Sequence, residues 1–481
     1  LVLGPLAGAV VTALVPERTA KWWGAALTAA AAVGSLVVTV TVASDGPLRL
    51  ALGGWAPPVG ISLRADGFAA ALLMLTALVG VAVSVFATAA VTLSRWFWPL
   101  WLFLLAGLNA VYLAADLFNT YVALELVTVG AVALVALGGR AALGPALRYL
   151  FVAVLGSFAF LTAVALVYAR TGTLDIAQAG ERMPDDGLAL AVLGIVALAM
   201  ALKTALFPLH GWLPPAHAGA PAAVSPIMSA LVIKASFAVL VRVWVEFASA
   251  PGAVVLAQFL GILGALGVLW GSVLALRQSA LKRVVAYSTV AQVGYFFLLF
   301  PLLTPALAAD AGPDAAAAAQ YAWGGILILV LAHGLAKAAM FIAAGALVAG
   351  YGTDRLYALR GSASRFPTLA WAFGASGVAL AGLPPALAFA GKFQAMSATL
   401  ASGQWWWMVV LLLGGLLTLA YTARVLAIML RVDAGSADPA PVAARMQWSA
   451  VILALLAVLL GLRSVEIIDL LDVGAVEGVL R

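Results

Sequence analysis

Long apolar runs separated by short polar breaks cover this chain from one end to the other. Fourteen recur, at about 1–15, 22–43, 68–90, 96–115, 117–137, 148–170, 188–212, 224–247, 256–276, 280–303, 321–349, 368–401, 404–430 and 446–462. A helix of about 18 or more apolar residues can cross the ~30 Å hydrocarbon core of a bilayer. The pattern therefore predicts an all-α polytopic membrane protein of about 14 transmembrane helices. Two stretches break the helical rhythm. Residues 48–67, LRLALGGWAPPVGISLRADG, alternate apolar and polar around Gly-Gly and Pro-Pro, which predicts a small β-hairpin on the outer face. In 463–481, Glu466, Asp469 and Asp472 are spaced by three, as in an amphipathic helix at the outer interface. The alanines at 315–319 are expected to lead into the eleventh span. The first span is short and begins without Met, so a few residues are expected before Leu1, and it reads as a helix rather than a cleavable signal. No soluble domain or long linker intervenes, so 1–481 reads as one membrane domain.

Composition agrees: 65% of residues are hydrophobic and 9% charged, with mean hydropathy +1.13, whereas soluble domains carry about 25% charged residues. There is no cysteine, which excludes thiolate-held iron–sulfur clusters, Cys–zinc sites and disulfides within this chain. The three histidines, His210, His217 and His333, form no HxxxH pair, so haem and catalytic zinc are not expected. No P-loop pattern appears. No cofactor is expected, and the net charge of +6 points to loops rather than to nucleic acid.

Loops following odd-numbered spans hold thirteen of the 25 Lys and Arg residues, and the even loops with the tail hold seven. The positive-inside bias thus predicts odd loops in the cytoplasm and both termini outside, consistent with an even number of spans. That accounting leaves five cations: Lys203, Lys234, Lys337, Lys392 and Arg424. Arg424 lies near a span end and is expected to snorkel to the headgroups. The four lysines lie deeper, as does Glu125 at the middle of the fifth span. An intramembrane charge costs about 2.5–3.5 kcal/mol on insertion scales, so the five would cost on the order of 10 kcal/mol unpaired. They must face one another or water. A desolvated lysine can lose its proton whereas arginine cannot, so a lysine whose glutamate partner approaches and withdraws is a proton switch.

The movable element is also written in the sequence. Pro208, Pro214 and Pro215 follow Lys203, and Gly382, Pro384 and Pro385 precede Lys392. Both sets are expected to interrupt helices, and broken helices at matching positions of two halves mark ion sites in transporters. The breaks fall in the fourth span of 96–247 and the fourth of 256–430, which suggests two inverted five-helix repeats, helices 4–8 and 9–13. The remaining polar residues leave two readings open. His333, four residues before Lys337, is a relay or a satisfied core histidine. His210 and His217 flank the break as entrance groups or caps. Tyr287, Ser288, Thr289 and Gln292 hold a water chain or bond helix to helix. Asp116 is expected to cap the fifth span, and Glu246 to lie at an interface.

Taken together, DLFNTYVALELV, ALKTALFPLHGWLPPAH, PAAVSPIMSALVIKAS, LKRVVAYSTVAQVGY, HGLAKAAMF, AGLPPALAFAGKF and the LGGWAPPVGI hairpin resemble the antiporter-like subunits of respiratory complex I, membrane hydrogenases and Mrp-type sodium/proton antiporters. The match runs over nearly the whole chain. DLFN before the glutamate, and the Lys-Phe pair at 392–393, are most similar to the Mrp D subunit; complex I's middle antiporter-like subunit has glutamate at the position of Lys392. A long lateral C-terminal helix and fused domains, found in the family's longest members, are not seen. The resemblance implies two half-channels joined by a polar axis, with Glu125 and Lys203 as modulating pair, Lys234, His333 and Lys337 as central relay, and Lys392 as terminal proton site. It implies proton transport coupled to sodium efflux in a bacterial cell membrane, with the Mrp A, B, C, E, F and G subunits as partners. Rival readings are a redox-driven pump subunit of a complex I-like or hydrogenase assembly, a non-transporting scaffold and, more distantly, a metabolite carrier.

Overall fold

The computed structural model describes residues 1–90, 93–250, 252–308, 311–431 and 439–475. Residues 476–481 of the predicted C-terminal segment lie outside the described residues.

The first part of the chain runs through α1 (Leu3–Leu14), α2 (Glu17–Asp45), a hairpin of β1 (Leu48–Ala51) and β2 (Ser62–Ala65), and α3 (Gly67–Ala89). Helices α4 (Phe97–Leu113), α5 (Leu117–Ala136) and α6 (Arg140–Thr171) follow, with a short α7 (Ile176–Arg182). The next span is broken into α8 (Gly187–Thr204) and α9 (Leu213–Gly219), and then come α10 (Val224–Ile227) and α11 (Ile233–Phe247), joined by a π-helical turn, Met228–Val232. The second part comprises α12 (Ala253–Arg277), α13 (Leu281–Phe296), α14 (Leu299–Leu303), α15 (Pro313–Tyr351) and α16 (Ser362–Arg365). The second broken span is α17 (Pro367–Ala381) with α18 (Leu387–Ala401), followed by α19 (Trp406–Leu430), α20 (Ala444–Leu459) and α21 (Ser464–Asp472). Among the described residues, eleven segments are long and apolar enough to cross a membrane. The shorter apolar helices α1, α4 and α17 occupy the remaining three predicted spans.

Charge depth and burial follow one another. The apolar stretches of α15 and of the α10–α11 segment are entirely buried, whereas only a small part of that of α2 is. In a bilayer an apolar, exposed helix meets lipid or a partner, and a buried one can carry polar groups. The lysine-bearing helices α11 and α15 are the interior ones. Helix α15 starts at Pro313, so the alanine run is its first turns, and it packs on α13, α17, α18 and α20.

The predicted hairpin is present, pairing Leu48 with Ala65 and Ala51 with Ser62 in antiparallel register. Asp66, just after it, caps α3 by accepting from the Ala69 N–H at 2.9 Å. The same carboxylate accepts two bonds from Arg242, at 2.9 and 3.0 Å. Arg242 is therefore no loop residue: it lies in α11 and ties that helix to the hairpin. Arg424, in α19, donates from its guanidinium to the carbonyl of Gln278, the residue just past the end of α12, at 2.9 Å. Helix α21 is docked, with Trp323 Nε1 donating to the Leu471 carbonyl and the Gly67 N–H to the Val473 carbonyl.

Candidate functional site

Three groups of polar residues lie in this apolar interior, each built around a departure from regular helix. The first is at the end of α8. Ala205 turns left-handed (φ 60°) and stops the helix, so Lys203 occupies its last turn, where the free carbonyls favour a cation. The Lys203 ammonium is 3.9 Å from Glu125 Oε1 and donates to Thr128 Oγ1 at 3.0 Å. Helix α5 places Thr128 one turn beyond Glu125 on the same face. Lys203 is 5% exposed and the Glu125 side chain 29%, although Glu125 Oε1, the oxygen facing the ammonium, is buried and accepts no hydrogen bond. Helix α6 comes close because residue 156 is glycine: a Cβ there would lie 2.9 Å from the Ala199 carbonyl and 3.3 Å from Lys203 Cγ.

The break itself differs in detail from the expectation. It lies between Thr204 and Leu209 and contains Pro208, whereas Pro214 and Pro215 stand in the first turn of α9 and start that half-helix rather than interrupting one. Trp212 locks the break by donating from Nε1 to the Leu202 carbonyl at 2.9 Å and stacking on Tyr149 at 4.2 Å. His210 stacks on Phe207.

The second group is central. The π turn before α11 leaves the Ser229 carbonyl without its ordinary helical donor, and Lys234 Nζ takes it at 2.6 Å. The same ammonium meets His333 Nδ1 at 2.5 Å. One turn along α15, Lys337 donates to Ser288 and to the Val285 carbonyl of α13. Ser229 and Thr289 exchange a hydrogen bond at 2.9 Å, which connects the two helices that bear on the lysines. Lys234, His333 and Lys337 are all buried, as are Ser288 and Thr289.

The third group is at the second break. Gly382 (φ 82°) ends α17, and Lys392 of α18 reaches back to donate to the Ala381 carbonyl at 2.8 Å, its ammonium 5.0 Å above the Tyr295 ring. Pro384 and Pro385 lie within this break. Nearby, Gln292 donates to Thr418 and Tyr421 bonds the same hydroxyl.

The structure thus brings Glu125 to Lys203 and Lys234 to His333, and it puts Lys337 of α15, one turn beyond His333, against Ser288 and Val285 of α13. Lys392 stands apart, with no carboxylate partner among the described residues. Among the described residues no cluster of His, Asp and Glu is arranged to hold a metal. Sequence reasoning missed Thr128, whose signal was its three-residue spacing from Glu125, and Lys282, counted as a loop cation but 7% exposed.

A family model described as NADH:quinone oxidoreductase/Mrp antiporter, TM, matches residues 114–418, a stretch that contains Glu125, His333 and the four lysines of the three groups. The chain belongs to this family. The NADH:quinone oxidoreductase/Mrp antiporter family includes several proteins similar to this one. The N subunit of NADH-quinone oxidoreductase from Desulforudis audaxviator is 35% identical over 84% of this chain and 79% of its own length. The D subunit of the Na(+)/H(+) antiporter from Bacillus subtilis is 32% identical over 83% of this chain and 80% of its own. Among solved structures, a chain of the Mrp complex from Dietzia sp. superposes with TM-score 0.87 and 25% identity, covering 100% of this chain and 98% of that one.

Proposed function

We propose that this protein is the D-type subunit of a multi-subunit Mrp antiporter, carrying protons along a mid-membrane row of lysines while sodium leaves the cell. The observation that carries the reading is the Glu125–Lys203 pair beside a helix break: an ammonium with one carboxylate at 3.9 Å and one hydroxyl at 3.0 Å. Movement of the carboxylate changes how firmly Lys203 holds its proton. Lys234, His333 and Lys337 then pass protons across the centre, and Lys392, reaching over the second break, exchanges them with the other side. The proline and glycine breaks supply the local give, and residues 96–247 and 256–430 act as inverted halves, with both termini outside. The D-type antiporter relative and the full-length likeness to the Mrp complex chain support partners of the Mrp A, B, C, E, F and G kinds. The chain supplies no chemistry of its own beyond proton binding: it acts as part of a transporter that a gradient drives.

The quinone-oxidoreductase relative at 35% identity gives weight to a second reading, in which a redox partner drives the same proton row. Transport by the assembled complex in sealed vesicles separates the two. Sodium-dependent proton movement without any electron donor supports the antiporter; proton movement only with a quinone or other redox substrate supports the alternative. Sodium, potassium and lithium tested separately identify the coupling ion.

A further inference from the structure

His217 is fully buried, and neither ring nitrogen has a hydrogen-bond partner. Each unpaired buried polar atom costs about 1–3 kcal/mol, so such a ring calls for an explanation. The ring is held flat against Phe341, with centroids 4.7 Å apart, and its backbone carbonyl accepts from Ser225 at 3.0 Å. Phe341 is four residues after Lys337 on α15, which sets the ring on the side of the central row. Lys282 stands at the start of α13 on the face that carries Arg277, Arg283 and Arg355. Its ammonium donates to the Ala220 carbonyl at 2.7 Å, at the end of α9 and three residues from His217. The Asp354 carboxylate attracts Lys282 from the α15–α16 connection, whose backbone bonds to α13 through Leu281.

Lys282 therefore lies over the end of a short half-helix, between His217 and the arginine-rich face. We propose that Lys282 is a removable plug and that, with His217, it forms the mouth through which protons pass between the aqueous phase at that face and the central lysines. This rests on the proton-carrying reading above. With the plug in place, Lys282 caps α9 and the ring stays dry. When Lys282 swings toward Asp354, water reaches one ring nitrogen. A neutral imidazole accepts a proton there and releases the proton of its other nitrogen inward, toward Lys337 and Ser288, leaving the opposite tautomer. A 180° flip of the ring, which keeps it flat against Phe341, restores the starting tautomer for the next proton. Neither nitrogen is committed to a fixed partner, as a two-sided relay requires.

The absence of cysteine makes the test direct, because His217→Cys gives the subunit a single thiol. The assembled complex in sealed vesicles of both orientations is treated with a membrane-impermeant sulfonatoethyl methanethiosulfonate, and modification is read from the subunit's mass. With Lys282 intact, labelling should be slow and confined to the arginine-rich face. Adding Lys282→Ala, or Lys282→Met, which keeps bulk but lacks the donor, should speed it by about tenfold or more, the population shift expected from one lost charge-assisted hydrogen bond. Equal rates in assembled complexes with and without Lys282 would overturn the plug, and labelling from the opposite face would overturn the mouth. A complex that is merely less heat-stable, with an unchanged labelling rate, would reduce Lys282 to a helix cap. Labelling reports access alone, so a complex with His217 intact that showed no antiport activity would sink the functional reading and leave this measurement intact.

Discussion

The Lys392 ammonium and the Ala381 carbonyl meet at 2.8 Å across a helix break, and Gly382 between them has no room for a side chain. A Cβ on Gly382 would lie 2.7 Å from Lys392 Cδ, and the residue has φ 82°, which L side chains rarely adopt. Gly382→Ala should therefore displace the lysine as well as strain the turn. We expect a loss of about 1–3 kcal/mol of stability and a fall in sodium/proton antiport of about tenfold or more. Thermal unfolding and vesicle transport measure the two. Gly211→Ala, where an added methyl meets open space, serves as the control. Wild-type antiport in Gly382→Ala would show that the lysine's position across the break is immaterial.

Lys203 has two unlike partners, and their roles separate by substitution. At an effective dielectric near 20, an ion pair at 4 Å is worth about 4 kcal/mol, so Glu125→Gln should reduce antiport well over tenfold while the complex still assembles. Thr128→Val removes a neutral acceptor and should have the smaller effect. Initial transport rates, with the amount of assembled protein measured by blotting, decide this. If Thr128→Val is the more damaging, the hydroxyl rather than the carboxylate controls the lysine.

Lys234→Arg tests whether the central charge must come and go. Arginine keeps the charge but does not give up its proton in a protein. The complex should form, and proton flux should fall below about one tenth, since one lost step in a series limits the whole. Flux near the wild-type level would remove Lys234 from the path.

The Asp66–Arg242 clamp predicts a pH dependence. Burial alone would raise the Asp66 carboxyl, but Arg242 and Arg64 outweigh it and hold it below the usual aspartate range. The folded value being depressed, the clamp's stabilisation is complete above the ordinary aspartate pKa and is lost as pH falls through the lower folded value. Removing one partner, as in Arg242→Leu, takes away two charge-assisted hydrogen bonds and should cost about 1.5–3 kcal/mol, because Arg64 Nε remains 3.4 Å from the carboxylate. The double variant with Asp66→Asn should recover part of that. Melting curves between about pH 7 and pH 3 should show the wild type losing stability at the acid end and the double variant changing less; identical slopes would remove the clamp from the acid response.

Much of the site was legible because charge deep in an apolar run is conspicuous: Glu125, Lys203, Lys234, Lys337 and Lys392 stood out by depth alone. The hairpin and both breaks could be read from Gly and Pro. Lys282 and Arg242 were not legible, because a cation a few residues from a span end looks like a loop residue until its neighbours fold over it. Ala205 gave no signal, since alanine seldom adopts positive φ and nothing in its identity announces that it will. Pro214 and Pro215 misled for a related reason: proline both ends helices and begins them, and only the backbone distinguishes the two.

The π turn at Met228–Val232 has a geometric consequence for everything beyond it. One residue of α-helix is worth about 100° of rotation, and a π turn holds roughly one residue more than the α turn it replaces. Deleting a single residue there would turn Lys234 about a quarter of the way around the helix axis, away from His333, and would turn Arg242 away from Asp66 by the same angle. Two contacts at opposite ends of α11, one polar and central, one at the hairpin, thus share a single aiming device.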